Sequence, residues 1–268
     1  MLKSLILSIS VLVAGAAAQA QAQDSRLQRL DTGDDGKGWE AVGRLDIDGH
    51  GFCTGALIAP QIVLTAAHCL FNRDTGVRVD PARIEFLAGW RNGRASAYRW
   101  VRRAVIHPSY DFAETDPGNR VRNDIALLEL HHPIRNTSVI PFETDIRPRK
   151  GQRIGVVSYA RGRSDAPSLQ EVCDVMLRRQ GVLITSCDVD FGASGAPIFS
   201  FEGGAPRVVS VVSAMAEMDG RKVSLGTQLD GPLSELLSML DENSAAPQPR
   251  RMFTTGDKRD TGAKFAKP

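Results

Sequence analysis

Three short stretches carry side chains able to act on one another chemically. Leu64-Thr65-Ala66-Ala67-His68-Cys69 ends an apolar run, Asn123-Asp124-Ile125-Ala126-Leu127-Leu128 opens one, and Gly192-Ala193-Ser194-Gly195-Ala196-Pro197 is a glycine-flanked turn. Singly each is ordinary: a histidine beside a cysteine is usually packed, and an aspartate before a strand is usually a turn residue. Together they supply one reaction. A serine hydroxyl attacks a carbonyl effectively when a base takes its proton, and an imidazole, titrating near neutrality, is the natural base. A carboxylate on the far ring nitrogen fixes the tautomer and stabilises the imidazolium that forms. Glycines let backbone N–H groups close on the developing oxyanion, and Gly192 and Ser194 are spaced so that their N–H groups can converge on one oxygen. The expected roles are Ser194 as nucleophile, His68 as base, Asp124 as orienting carboxylate, and Gly192 with Ser194 as oxyanion donors.

These side chains are distant in sequence, so the fold must gather them. Short segments rich in Val, Ile, Leu and Phe alternate with Gly, Pro, Asn and Asp at 41–47, 55–58, 62–65, 84–87, 98–106, 125–130, 153–159, 182–187, 196–199 and 208–212. Strands of this length and spacing predict an all-β sandwich or barrel pair. A helical period enters late, at 232–240, where Leu233, Leu236, Leu237 and Leu240 share a face and Pro232 suits a first turn. The polar stretch 23–38 reads as a linker or pro-segment. Residues 243–268, poor in large apolar side chains, read as a disordered basic tail. With 42% hydrophobic and 24% charged residues among 268, the composition excludes disordered, collagen-like and all-membrane classes. Six basic and two acidic residues fall in 250–268 and Lys3 lies near the N-terminus, so the body keeps 26 basic against 29 acidic residues. A mildly acidic body is not the footprint of a nucleic-acid binder.

Residues 1–22 read as a signal peptide: Lys3, an apolar run from Leu5 to Ala18, then Ala18-Gln19-Ala20 and Ala20-Gln21-Ala22 as small-residue cleavage sites. The expected location is therefore secreted or periplasmic, with no membrane association once the leader is removed. In an oxidising compartment four cysteines point to two disulfides in one of three pairings. Sequence proximity favours Cys53–Cys69 and Cys173–Cys187. The absence of a Cys-x-x-Cys pair and the wide spread of the four cysteines argue against zinc. His50, His107, His131 and His132 lie in turn-like contexts without metal-pair spacing, so no metal and no cofactor is expected.

Phe52-Cys53-Thr54-Gly55-Ala56-Leu57-Ile58 with Val63 to Cys69, then Val105-Ile106-His107-Pro108-Ser109-Tyr110 with Asn123 to Leu128, then Ser194 among its glycines, resemble in order the histidine, aspartate and serine regions of the trypsin-like (chymotrypsin-fold) serine peptidase family, its bacterial secreted members in particular. The resemblance covers 39–240. It implies two packed six-stranded antiparallel β-barrels, 39–140 and 141–242, the second carrying the short C-terminal helix, with the site in the cleft between them. It implies a disulfide bracing the histidine region and Ser213 as a hydrogen-bond partner of Asp124. It implies a monomeric secreted endopeptidase that cleaves protein or peptide substrates through an acyl-enzyme. The alternative is a weak or inactive pseudo-peptidase serving as a binding module. A serine hydrolase on an α/β sheet is opposed by the order His, Asp, Ser.

Two departures from the family pattern matter. Ala193 stands where digestive members have Asp, and no Ile-Val-Gly-Gly segment precedes Trp39. The oxyanion turn is therefore expected to hold without an ion pair to a new N-terminus, unless Asp188 or Asp190 substitutes. Asp188 falls where the resemblance places the floor of the primary specificity pocket, favouring Arg or Lys by charge-assisted bonds. Substrate contacts are also implied for Ser213, Ala214 and Met215. Met215 replaces a glycine of basic-specific members and favours a small apolar residue instead. Both preferences stay open.

Overall fold

The computed structural model describes residues 27–49, 51–145 and 148–245. The leader 1–22, the hairpin-tip His50 and residues 246–268 of the expected tail lie outside the described residues. In chain order the strands are β1 (Leu27–Arg29), β2 (Val42–Ile47), β3 (Gly51–Ala59), β4 (Ile62–Thr65), β5 (Ile84–Ala88), β6 (Ala97–Ile106), β7 (Ala126–Leu130), β8 (Arg153–Ala160), β9 (Arg163–Arg179), β10 (Val182–Thr185), β11 (Pro197–Ser200), β12 (Arg207–Met218) and β13 (Arg221–Gln228). Helix α1 (Pro117–Asn123) precedes β7 and helix α2 (Pro232–Ala245) follows β13.

Strands β2-β3-β4-β7-β6-β5 close into one antiparallel barrel. Strands β8-β9-β10-β13-β12-β11 close into a second through the β8–β9 pairing. Closure leaves neither ring with an unpaired edge, which alternating apolar strands otherwise expose to aggregation. Leu45, Leu57, Val63, Phe86, Val101 and Leu128 point inward and are fully buried in the first barrel. The second is lined by Ile154, Val156, Leu183, Ile198, Val209 and Val212. Between the barrels, Phe199 of β11 meets Trp39 and Phe142, with ring centroids 5.1 and 4.7 Å apart. Tyr159, Phe199, Val208 and Val211 join the buried cluster of the first barrel, so one core is continuous across the seam.

Three differences from the sequence-based expectation have physical causes. β9 and β13 were not among the expected strands. β9 carries Pro167 and a polar first half, and β13 buries Ser224, Thr227 and Gln228 rather than an apolar row. Their polar groups are satisfied locally: Thr185 Oγ1 and Ser224 Oγ are 2.5 Å apart, and Ser210 Oγ donates to Thr227 O at 2.7 Å. Within the stretch read as a linker or pro-segment, β1 pairs with β9, and Leu30 is buried beside it, its N–H donating to Pro167 O at 2.9 Å. Last, α2 runs three residues past 242, into what was read as tail. Leu233, Leu236 and Leu240 of α2 are buried as expected, whereas Leu237 is half-exposed.

Candidate active site

His68 follows β4 in a 3-10 turn, Ala67–Leu70, whose Ala67, Cys69 and Leu70 are buried. Cys69 is bonded to Cys53 of β3, so the turn is tied to the barrel on which it ends. The second disulfide, Cys173–Cys187, staples β9 to the loop after β10. The favoured pairing is therefore the observed one. Cys53, His68 and Cys69 lie close together, but both sulfurs are spent in the disulfide and leave no thiolate for a metal.

Asp124 is placed by α1, a helix too short and polar to show as a period. Asp116 caps its start, accepting the Asn119 N–H at 2.7 Å, and Pro117 occupies its first turn. At its other end Thr227 Oγ1 donates to Val121 O and Asp124 O at 2.6 and 3.1 Å, holding the helix to β13. The Asp124 carboxylate is buried. Its Oδ1 accepts the His68 backbone N–H at 2.8 Å, and its Oδ2 accepts from His68 Nδ1 at 2.6 Å and from Ser213 Oγ at 2.5 Å. A carboxylate only accepts, so this contact assigns the ring proton to Nδ1 and leaves the Nε2 lone pair outward. Ser213 thus stands where the family resemblance put it.

The turn carrying Ser194 is held from both barrels, with Gly195 N–H donating to Val212 O of β12 at 2.7 Å. Thr54 of β3 donates its N–H to Ser194 O at 2.9 Å and its Oγ1 to Gly192 O at 2.9 Å. The same Oγ1 accepts the Tyr159 N–H at 3.1 Å, while Thr65 Oγ1 donates to Thr54 O at 2.9 Å. Within the turn, Ala193 N–H donates to Asp190 O and Ala196 N–H to Ala193 O, both at 2.9 Å. Gly195 has φ +75°, and a Cβ there would lie 2.1 Å from Thr65 Oγ1 and 2.5 Å from Thr54 O. Gly192, at φ +97°, is pressed against the Phe52 ring. Ala193 is buried without an ion pair, and Asp190 contributes by accepting the Phe191 N–H at 2.6 Å. The N–H groups of Gly192 and Ser194 donate to no acceptor among the described residues. Two unspent donors on either side of Ala193 are of the kind an anionic oxygen requires.

His68, Asp124 and Ser194 line one cleft of about 380 Å³. Among the described residues no hydrogen bond joins Ser194 Oγ to His68. The same cleft is walled by Val189, Val212, Ser213, Ala214 and Met215, which include three of the four residues expected to touch substrate. Asp188 lies outside the wall, exposed, with its N–H donating to Gln170 Oε1 at 2.8 Å. Solvation suits a lone carboxylate better than an apolar wall, and Val189 faces the cleft in its stead. Asp188 and Asp190 instead lie near Arg163, whose guanidinium is pulled below its ordinary range by burial while both acids oppose the shift. Arg73, Tyr110, Phe112, Arg120 and Phe191 also line the cleft. The sequence assigns them no role, because Arg120 comes from the short helix α1 and the others from loops, whose positions no periodicity reveals. Burial, with Asp124 adding to it, pushes the Tyr110 phenol far above its ordinary range, and its hydroxyl has no partner among the described residues.

A family model described as Trypsin matches residues 33–228. Serine protease 23 of Mus musculus is 30% identical over 165 residues, 55% of this chain and 42% of that protein. Mannan-binding lectin serine protease 1 of Homo sapiens is 29% identical over 126 residues, 42% of this chain and 17% of that protein. The chain thus spans less than half the length of these relatives. A solved structure of Glu endopeptidase in complex with MPD aligns with a TM-score of 0.64 at 17% identity, covering 76% of this chain and 91% of that one. At that identity the likeness speaks to the fold.

Proposed function

The chain belongs to the trypsin family of serine peptidases, and on that premise we propose that it is an exported endopeptidase that hydrolyses peptide bonds through Ser194, His68 and Asp124. The observation that carries this reading is the Asp124 carboxylate, which accepts from His68 Nδ1 at 2.6 Å and leaves Nε2 facing the cleft that Ser194 lines. His68 Nε2 takes the Ser194 proton as Oγ attacks the scissile carbonyl. The developing oxyanion is received by the Gly192 and Ser194 N–H groups. His68 then gives the proton to the leaving amine, and water repeats the sequence on the acyl-enzyme.

The walls Val189, Val212, Ala214 and Met215 favour an apolar residue before the scissile bond, and the exposed Asp188 leaves a basic one without a partner there. Two disulfides fit an oxidising compartment and so support export. No described helix is long and apolar enough to cross a membrane.

A rival reading, a binding module on the same fold, draws on the missing Ser194–His68 hydrogen bond. Hydrogen bonds of this kind are often loose before substrate binds and tighten in the complex, so the geometry alone does not favour it. A fluorophosphonate probe separates the two. Labelling of the folded wild type that disappears in Ser194→Ala establishes an activated nucleophile, whereas an unlabelled folded wild type selects the binding module.

A further inference from the structure

Next to the Ser194 turn, two arginines from different barrels converge on one exposed ring. Arg73, in the loop after the His68 turn, places its guanidinium carbon 5.8 Å from the Phe191 ring centroid. Arg161, between β8 and β9, places its own 4.7 Å from the same centroid. Neither guanidinium makes a hydrogen bond or ion pair with a described residue. Phe191 immediately precedes the oxyanion glycine, and it is 45% exposed.

A second groove of about 630 Å³ opens at this corner. It shares His68, Arg73 and Phe191 with the first cleft and is otherwise floored by Phe52, Gly192 and the Cys53–Cys69 bridge. Its other charges are mostly engaged. Arg83 pairs with Asp48, Arg78 donates to Ala104 O at 2.8 Å, and Asp80 accepts the Ala82 N–H at 3.0 Å. Asp74 is adjacent to Arg73 in the chain but forms no ion pair with it. Asp190, next to Phe191 in the chain, lines the first cleft, but among the described residues neither it nor Asp74 forms an ion pair with Arg73 or Arg161, so both guanidiniums keep their donors. Stacking on a ring orients a guanidinium and leaves its donors free for a planar acceptor, and carboxylate is the acceptor that fits them in pairs.

We propose that Arg73 and Arg161 form a subsite for a substrate carboxylate on the leaving-group side of the scissile bond. This rests on the peptidase reading. If the acyl half of the substrate runs along Ser213, Ala214 and Met215 in the first cleft, the leaving half must pass His68 and Phe191 into the second. The carboxylate is that of an Asp or Glu within the first three residues after the cut, or a free C-terminus at that distance.

The test uses quenched-fluorescence peptides with one common acyl half, amidated at the C-terminus, carrying Glu or Gln at each of the three positions after the scissile bond. A parallel set ends there in a free carboxylate. The wild type is expected to cleave the best Glu peptide with a kcat/KM roughly five- to tenfold above its Gln partner, as two exposed charge pairs allow. Raising the salt concentration should narrow the ratio. In the Arg73→Ala, Arg161→Ala double variant the ratio falls to about one. Because each ratio is internal to one protein, a general loss of activity does not mimic the result. A stronger response to the free-terminus set identifies the C-terminal carboxylate as the source. Equal rates for every acid and amide pair in the wild type, or a preference that survives the double variant, overturn the proposal. Labelled leaving-half peptides titrated against Ser194→Ala read the same subsite without turnover. If Glu is still preferred there while the wild type takes no fluorophosphonate, the subsite stands and the peptidase reading fails. If the titration shows no preference while the probe labels Ser194, the reverse holds.

Discussion

Thr54 spends its polar atoms around the turn that carries Ser194. Its N–H donates to the Ser194 carbonyl and its Oγ1 to the Gly192 carbonyl, fixing the backbone of both residues whose N–H groups are the proposed oxyanion donors. In digestive relatives the family pattern gives this task to an ion pair with the residue at Ala193. Here a fully buried threonine from the opposite barrel contributes to it. Thr54→Val keeps the shape and removes the Oγ1 bonds. It should lower kcat by about 10²-fold with little change in KM, the cost of donors displaced by a fraction of an ångström. Thr54→Ser, which keeps the hydroxyl, should recover most of the loss. A Thr54→Val enzyme with wild-type kcat would show that the turn holds itself. At Asp124, an amide in place of the carboxylate permits the wrong imidazole tautomer. Asp124→Asn is expected to lower kcat about 10⁴-fold in steady-state assays while the folded spectrum is retained.

Two elements lack an apolar pattern in the sequence, each for its own reason. α1 has seven residues with one buried side chain, Val121, so no apolar stripe announces it. Its Pro117 and the capping Asp116 were the available signals. β1 is three residues long with all three exposed, and Leu30 directly after it is buried. Burying one leucine is worth roughly 1.5–3 kcal/mol. Deleting residues through Leu30 should therefore lower the melting temperature by about 5 °C in a thermal scan without raising specific activity. An activity that rises on trimming would mean that this segment restrains the enzyme. The disulfides act on elements too. Cys53–Cys69 closes a separation of 16 residues around the His68 turn, and replacing both cysteines by alanine should cost about 2–5 kcal/mol in denaturant unfolding.

Across the molecule, one buried cluster spans both barrels, with Phe199 between Trp39 and Phe142. Phe199→Ala opens a cavity at the seam and should destabilise the protein by about 3–5 kcal/mol. Because the core is shared, both barrels should unfold in a single transition, and two resolved calorimetric peaks would contradict that coupling. The Ser194 turn, braced by Thr54 from across the seam, should lose activity no later than the fold melts.

Much of this is legible in the amino-acid sequence. Alternating apolar segments set an all-β class, and motifs around His68, Asp124 and Ser194 point to the groups proposed to react, because local periodicity and chemistry are written in neighbouring residues. The rest depended on residues far apart in the chain. Polar interiors hid β9 and β13. The spacing of Asp188 did not reveal that its side chain turns to water while Val189 faces the cleft. Thr54 lies within the Phe52–Ile58 motif but takes its role from contacts with Tyr159, Gly192 and Ser194, more than a hundred residues away. Likewise Arg73 and Arg161 become one feature only when two barrels close on the same ring. Such contacts arise from packing, which a linear pattern does not encode.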